Sequence, residues 1–165
     1  MSEMMTRNVL FICTGNSARS ILAEALMTER SGGRFRGYSA GSHPAGVVNA
    51  GALRLLRRKG FKTEGLRSKS WDEFAIPGAP VMDFILTVCD NAANEACPYW
   101  PGHPASAHWG VADPAAVRGS EAEIDEAFEQ AFEVLARRVN AFVALPFDAL
   151  DEVRLKLELA KIGEL

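Results

Sequence analysis

The strongest constraint on the fold is an apolar segment that passes directly into a polar loop and then into a helical pattern. The segment Asn8-Val9-Leu10-Phe11-Ile12 is short and almost continuously apolar, which is typical of a strand buried on both faces of a parallel sheet. Beyond the loop, apolar residues recur at helical spacing from Ile21 to Leu26, until Ser31-Gly32-Gly33 interrupts the pattern. The chain is therefore expected to begin with a strand, a loop and a helix.

The same alternation continues along the chain. Further apolar runs predict strands at 35–40, 81–88 and 105–109. Amphipathic patterns predict helices at 49–59 and from a capping box at 120–123 to Pro146. Strands that alternate with helices imply right-handed crossovers and a parallel sheet covered on both faces. We predict a single α/β domain over residues 1–165, with a C-terminal helical extension at 147–165.

Composition excludes several functional classes. The 165 residues are 48% hydrophobic, which suffices for one domain with a full core. The formal net charge of -3 gives no electrostatic reason to expect a nucleic acid or an anionic membrane as partner. No run approaches the roughly 20 apolar residues of a membrane span, and residues 1–7 lack the pattern of a secretion signal. We therefore expect a cytoplasmic protein with no nucleic-acid or membrane partner.

The loop after the first strand reads Cys13-Thr14-Gly15-Asn16-Ser17-Ala18-Arg19-Ser20. A loop that joins a strand to a helix N-terminus directs several backbone N–H groups at one point, where the helix dipole adds partial positive charge. Arg19 adds a planar guanidinium that can donate two parallel hydrogen bonds to an anion. The same field favours a thiolate at Cys13, with a lowered pKa and high nucleophilicity.

The other loop residues suit a tight wrap around a tetrahedral oxyanion. Gly15 and Asn16 tolerate the positive φ that such a wrap requires, and Ser20 is placed to hold the Cys13 sulfur with a hydroxyl hydrogen bond. The predicted oxyanion-binding residues are Thr14, Gly15, Asn16, Ser17, Ala18, Arg19 and Ser20. Cys89 and Asp113 also follow predicted strands, so we expect both to lie with Cys13 at the carboxyl edge of the sheet.

These residues carry a resemblance to a known family. Residues 9–25, with the loop at 13–20 as their centre, resemble the signature of the low-molecular-weight protein tyrosine phosphatase superfamily, which includes the thioredoxin-coupled arsenate reductases. The resemblance extends to Asp113-Pro114 and implies a four-stranded parallel sheet with helices on both sides. It also implies that Asp113 is a general acid in a phosphatase, or assists proton movement in a reductase.

The three cysteines of the chain favour the reductase branch. An odd count in a chain of this size argues against a structural disulfide framework. By resemblance to the arsenate reductases, Cys13 attacks arsenate, Cys89 displaces arsenite by attacking Cys13, and Cys97 then attacks Cys89. The resulting disulfide would be reduced by thioredoxin or a similar thiol. We therefore predict an arsenate reductase, whose loop would also accept phosphate or sulfate.

Three features depart from the family pattern. Ala18 stands where many relatives carry a second loop cysteine, and the interval from Cys89 to Cys97 is one residue longer than in the best-known members. Ala115-Ala116 follows the Asp-Pro pair, where phosphatases of this group usually carry tyrosines. This last departure weakens the phosphotyrosine interpretation but leaves a phosphatase of the same fold as the main alternative. A non-enzymatic oxyanion or redox sensor is a second alternative, which the intact nucleophile, arginine and aspartate disfavour.

No cofactor or metal ion is predicted. No quartet of ligands with zinc-finger spacing occurs in the sequence. The residues that align with a monovalent-cation site of some reductases are Asn16, Glu24, Ser70 and Asp72. His108-Trp109 resembles a His-Trp pair of the reductase branch, and a buried histidine beside a core tryptophan is the favoured interpretation there.

Overall fold

The computed structural model describes residues 6–89 and 103–165. Its strands are β1 (Arg7–Ile12), β2 (Phe35–Ala40), β3 (Phe84–Thr87) and β4 (Ala105–His108). Its α-helices are α1 (Arg19–Arg30), α2 (Ala50–Arg58), α3 (Glu121–Val143) and α4 (Glu152–Ile162). Short 3-10 helices lie at Trp71–Phe74, Pro114–Ala116 and Phe147–Ala149. Within the described ranges, no helix combines the length and apolar character needed to cross a membrane.

The four strands form one parallel sheet in the order β2-β1-β3-β4. β1 is central, and its last four residues, from Val9 to Ile12, are fully buried, as the continuous apolar run requires. Ile12 pairs with Ala40 on one side and with Thr87 on the other. The predicted four-stranded parallel sheet is confirmed, and this register brings the carboxyl ends of the strands to one edge.

The third strand is shorter than its apolar pattern predicts. The predicted strand at 81–88 is observed only from Phe84 to Thr87. Ahead of it, the side chain of Asn8 donates to the Val81 carbonyl at 2.9 Å, and the Asn8 backbone N–H donates to the Asp83 carboxylate at 2.7 Å. Side-chain hydrogen bonds thus supplement the backbone hydrogen bond from the Asp83 N–H to the Asn8 carbonyl at the beginning of this strand.

The long helix α3 packs its apolar stripe into the core, and its start is the predicted capping box. Ser120 accepts from the Glu123 N–H at 3.1 Å while the Glu123 carboxylate accepts from the Ser120 N–H at 3.3 Å. The helix ends at Val143, three residues before Pro146, because proline disfavours helical conformation in the residue that precedes it.

The C-terminal extension packs against the end of β4. The indole N–H of Trp109 donates to the Leu159 carbonyl at 2.9 Å. Leu159 and Trp109 are both fully buried, and Ile162 is almost fully buried. The apolar side of the amphipathic pattern in α4 therefore covers the core of the same chain, at the edge of the sheet that carries β4.

Candidate active site

Cys13 lies directly after the central strand, at the start of the predicted oxyanion loop. Its backbone N–H donates to the Ala40 carbonyl at 3.2 Å, which extends the β1–β2 ladder by one residue. The loop then runs to Arg19, the first residue of α1. Cys13 is a free thiol with only 5% of its surface exposed. The sulfur therefore stands where the helix dipole and the loop amides act together.

Asn16 holds the loop in its wrapped form. This residue has a φ of 45° and is fully buried. Its side-chain amide donates to the Ser20 hydroxyl at 2.8 Å and accepts from the Lys69 backbone N–H at 2.9 Å. The prediction of positive φ is confirmed at Asn16 and wrong at Gly15, which lies outside that region. The described bond of the Ser20 hydroxyl is to Asn16, so its predicted bond to the sulfur stays a prediction.

The loop carbonyls point away from the centre of the loop, toward the segment at 41–49. Their donors are the backbone N–H groups of His43 on Thr14, Ala45 on Gly15 and Asn49 on Ser17, each at 2.9 Å. The N–H and C=O of a trans peptide point in opposite directions. The following N–H groups, those of Gly15, Asn16 and Ala18, therefore face the loop centre, as binding of an oxyanion requires.

Gly41 supports the loop from behind. A Cβ atom at this position would overlap the Thr14 carbonyl oxygen and lie 2.8 Å from the Cys13 carbonyl oxygen. Both atoms belong to the backbone, so they cannot rotate away as a flexible side chain would.

A Gly41→Ala variant should therefore bind sulfate roughly tenfold more weakly, because the loop must shift to admit the methyl group. Isothermal titration calorimetry with sulfate measures the effect. Gly60→Ala is a matched control, since Gly60 has a φ of +84° and open space around it; it should lower stability and leave sulfate affinity unchanged. Unchanged affinity in Gly41→Ala would contradict this view of the loop.

Arg19 and Asp113 form an ion pair at the mouth of the loop. The Arg19 Nη2 atom lies 3.5 Å from Asp113 Oδ2, and Nη1 donates to the Val111 carbonyl at 3.0 Å. Asp113 also accepts from the Ala115 N–H at 2.9 Å and so begins the short helix after it. These two contacts fix the position of the guanidinium beside the loop. Its catalytic role stays a prediction.

Cys89 follows β3 and places its sulfur against the same loop. The Thr14 backbone N–H donates to Cys89 Sγ at 3.2 Å, and the Thr14 hydroxyl lies 3.5 Å from the same atom. Cys89 is buried, with 3% of its surface exposed. The structure thus brings Cys13, Arg19, Cys89 and Asp113 together, whereas Cys97 lies outside the described residues.

The proximity of the two thiols reverses one expectation from the sequence. A hydrogen bond to Cys89 raises the pKa of Cys13, and burial raises it further. The positive charge of Arg19 and the Gly15 N–H act in the opposite direction, to lower this pKa, but are outweighed. The predicted lowering of the Cys13 pKa is therefore wrong for this arrangement, because the sequence does not show that a second thiol is in contact.

Removing the Cys89 thiol should lower the Cys13 pKa, because the largest cause of its elevation is then absent. In a Cys89→Ala variant, the pH profile for alkylation of Cys13 by iodoacetamide should move to lower pH. Peptide mass spectrometry separates Cys13 from Cys97. Cys89→Ser keeps a hydrogen-bonding atom and should move the profile less. A profile that stays in place in Cys89→Ala would show that contact with Cys89 does not control the nucleophile.

His108 and Trp109 lie at the carboxyl end of β4. His108 Nδ1 lies 2.7 Å from the Thr87 hydroxyl, and Trp109 is fully buried with its ring 6.2 Å from that of Phe11. The interpretation of Trp109 as a core residue is confirmed, whereas the expected burial of His108 is wrong, because this residue is exposed on the edge strand β4. In the part of the chain that the structure describes, no cluster of three or more His, Cys, Asp or Glu side chains is arranged to hold a metal ion.

Sequence reasoning missed a buried lysine behind the loop. Lys69 is only 8% exposed, and its ammonium donates to the Arg67 carbonyl at 2.8 Å. The ammonium also lies 3.4 Å from the Ser39 hydroxyl and 3.7 Å from the Glu24 carboxylate. Burial lowers the pKa of Lys69 and raises that of Glu24, and each charge partly offsets the shift of the other. A lone lysine in a polar segment carries no sequence signal that distinguishes it from a solvated one.

Known proteins are similar to this chain in sequence and in fold. An arsenate reductase of Bacillus licheniformis is 32% identical over 139 residues, which are 84% of this chain and 96% of that protein. A solved thioredoxin-dependent arsenate reductase from Corynebacterium glutamicum is 25% identical with a TM-score of 0.60, covering 84% of this chain and 62% of that one. A low molecular weight protein tyrosine phosphatase from T. tengcongensis is 22% identical with a TM-score of 0.65, covering 82% and 96%, and shares the fold.

The family assignment rests on a match that includes nearly the whole site. Residues 8–155 match the family model for low molecular weight phosphotyrosine protein phosphatase. This range contains β1 from its second residue onward, the loop with Cys13 and Arg19, and the Asp113 segment. The chain therefore belongs to the low molecular weight phosphotyrosine protein phosphatase family.

Proposed function

We propose that this protein is an arsenate reductase that works through a relay of three cysteines. The observation that carries the proposal is the position of Cys89, whose sulfur accepts a hydrogen bond from Thr14 at the start of the oxyanion loop. Hydrolysis of a phosphate ester needs one nucleophilic thiol, whereas reduction of arsenate needs a second thiol within reach of the first. The curated relative from Bacillus licheniformis is named an arsenate reductase, which supports the same choice.

The first step is attack on arsenate held by the loop amides and Arg19. Cys13 Sγ forms a bond to arsenic, and the bond from arsenic to one oxygen breaks. The Cys13 thiol proton passes to that oxygen, which leaves as water once it carries two protons. Asp113, which is paired with Arg19 at 3.5 Å, is positioned to supply a proton to this oxygen. Arsenic is still As(V) at this stage.

The second step transfers two electrons to arsenic. Cys89 attacks Cys13 Sγ as a thiolate, the S–As bond breaks, and its electron pair stays with arsenic. Arsenic leaves as arsenite, As(III), and a Cys13–Cys89 disulfide remains. Both cysteines are buried, and Cys89 Sγ accepts a hydrogen bond from Thr14, the residue after Cys13, so this step needs little movement of the Cys89 side chain.

The relay then moves the disulfide away from the loop. Cys97 attacks Cys89 Sγ, and Cys13 leaves as the thiolate that is ready for another arsenate. The Cys89–Cys97 disulfide is reduced by the dithiol of thioredoxin or a similar reductant, in line with the thioredoxin-dependent relative of known structure. Because a relay of this kind needs a supply of reduced thiols, we infer that the protein works in the cytoplasm.

A comparison of two activities tests the proposal. With thioredoxin, thioredoxin reductase and NADPH, arsenate should cause sustained NADPH oxidation, whereas phosphate in place of arsenate should cause none. Without thioredoxin, each protein molecule should form one arsenite and then stop, because its own thiols have been oxidised. Hydrolysis of p-nitrophenyl phosphate without any arsenate-dependent NADPH oxidation would instead identify a phosphatase.

A further inference from the structure

We propose that Lys69 is a positioning residue whose buried ammonium serves as a built-in cation that holds the oxyanion loop in its binding conformation. The inference rests on the oxyanion loop of the proposed function, but not on the reduction that follows. The inference is based on the contacts of Lys69. Its backbone contacts the loop, and its side chain contacts β2 and α1.

The backbone of Lys69 is hydrogen-bonded to the Asn16 side chain. Its N–H donates to the Asn16 side-chain oxygen at 2.9 Å, and its carbonyl accepts from the Gly41 N–H at 2.9 Å. Asn16 carries the strained φ of 45°, a conformation that persists only when the surroundings enforce it. Any displacement of Lys69 would therefore shift both Asn16 in the loop and Gly41, which packs against the loop backbone.

The side chain of Lys69 is fixed by groups from two other elements. Its ammonium lies 3.7 Å from Glu24 on α1 and 3.4 Å from Ser39 on β2, and the Ser39 hydroxyl donates to the same Glu24 oxygen at 2.5 Å. Burial raises the pKa of Glu24, and the Lys69 charge is the largest of the effects that oppose this rise, so loss of the ammonium would favour the protonated carboxyl and weaken this contact. The ammonium thus joins α1, β2 and the loop at one point.

The surroundings of the ammonium suggest a decisive test. A cavity of about 570 Å³ borders Glu24 and Lys69, so a small cation from solution can reach the space that a shortened or neutral side chain leaves. If Lys69 acts through its positive charge, a free cation should replace it. If it acts only by filling space, added cations should have no effect.

The experiment measures sulfate affinity in Lys69→Met, with choline chloride as background salt. We expect affinity to fall at least about tenfold and to recover severalfold when ammonium or potassium replaces choline at constant ionic strength. Lys62→Met is the matched control, because Lys62 lines the same cavity but is exposed; its affinity should equal that of the parent. Parent-like affinity in Lys69→Met, or a loss that neither cation relieves, would overturn the proposal.

Two further outcomes are distinguishable. If Lys69→Met does not fold, the double variant Glu24→Gln/Lys69→Met removes both buried charges, and it should fold with weak, cation-insensitive sulfate binding; parent-like affinity in this variant would also overturn the proposal. If the parent protein itself binds neither sulfate nor arsenate, the proposed function is wrong rather than the role of Lys69.

Discussion

A Cys89→Ser variant will bind sulfate as the parent does and yet lose arsenate turnover at least about 1,000-fold, because a serine hydroxyl cannot form the disulfide that releases arsenite. The substitution changes one atom, at a residue with 3% exposure, so the fold should persist. The thioredoxin-coupled assay with NADPH measures the loss.

Sulfate affinity serves as the internal control for Cys89→Ser, since the loop amides and Arg19 remain in place. Hydrolysis of p-nitrophenyl phosphate, if the parent shows any, should also survive. Arsenate turnover within about tenfold of the parent would mean that Cys89 does not carry the electrons, whatever its distance from the loop.

An Arg19→Lys variant should lose about 100- to 1,000-fold in kcat/KM for arsenate, which is the effect of removing one donor from an oxyanion site. The guanidinium of Arg19 uses one nitrogen on the Val111 carbonyl and another near Asp113. A lysine ammonium is a point charge that cannot reproduce this planar fork. Steady-state kinetics with saturating thioredoxin measure the change.

The matched control for this variant is Arg30→Lys, on the exposed last turn of the same helix. It should leave kcat/KM within about twofold of the parent, since substitutions at exposed positions usually have small effects. A loss smaller than about threefold in Arg19→Lys would contradict the role of its planar fork.

The parts of the site that the sequence predicted are those set by local chain geometry. The apolar run before Cys13 indicates a buried strand, and the pattern from Ile21 indicates a helix, so the loop between them lies at a helix N-terminus, where an anion is favoured. The convergence of Cys89 and Asp113 on the same edge follows from the parallel sheet. These inferences need only strand and helix periods, which are strong signals in this chain.

The parts that the sequence did not predict depend on contacts between distant segments. The raised pKa of Cys13 arises from Cys89, which is 76 positions away, and no local pattern reports that the two sulfurs meet. The burial of Lys69 depends on Glu24 and Ser39, which come from a different helix and strand. The early end of α3 before Pro146 was missed for a smaller reason, since helix boundaries are less well specified by apolar spacing than helix cores are.

The proposed relay would give a reason for the paired burial of Cys13 and Cys89. While Cys89 is in contact, it raises the pKa of Cys13. We expect an oxyanion in the loop to disturb this contact, because it must occupy the space that the loop amides and Arg19 face. The hydrogen bond from the Thr14 N–H would still hold Cys89 Sγ near Cys13 for the transfer of electrons that follows.

The most direct test of the central claim is thiol mapping by mass spectrometry after a single turnover with arsenate and no reductant. The relay predicts one Cys89–Cys97 disulfide per arsenite formed, with Cys13 recovered as a free thiol, and no disulfide when phosphate replaces arsenate. Arsenite formed while Cys89 and Cys97 both remain reduced would contradict the relay.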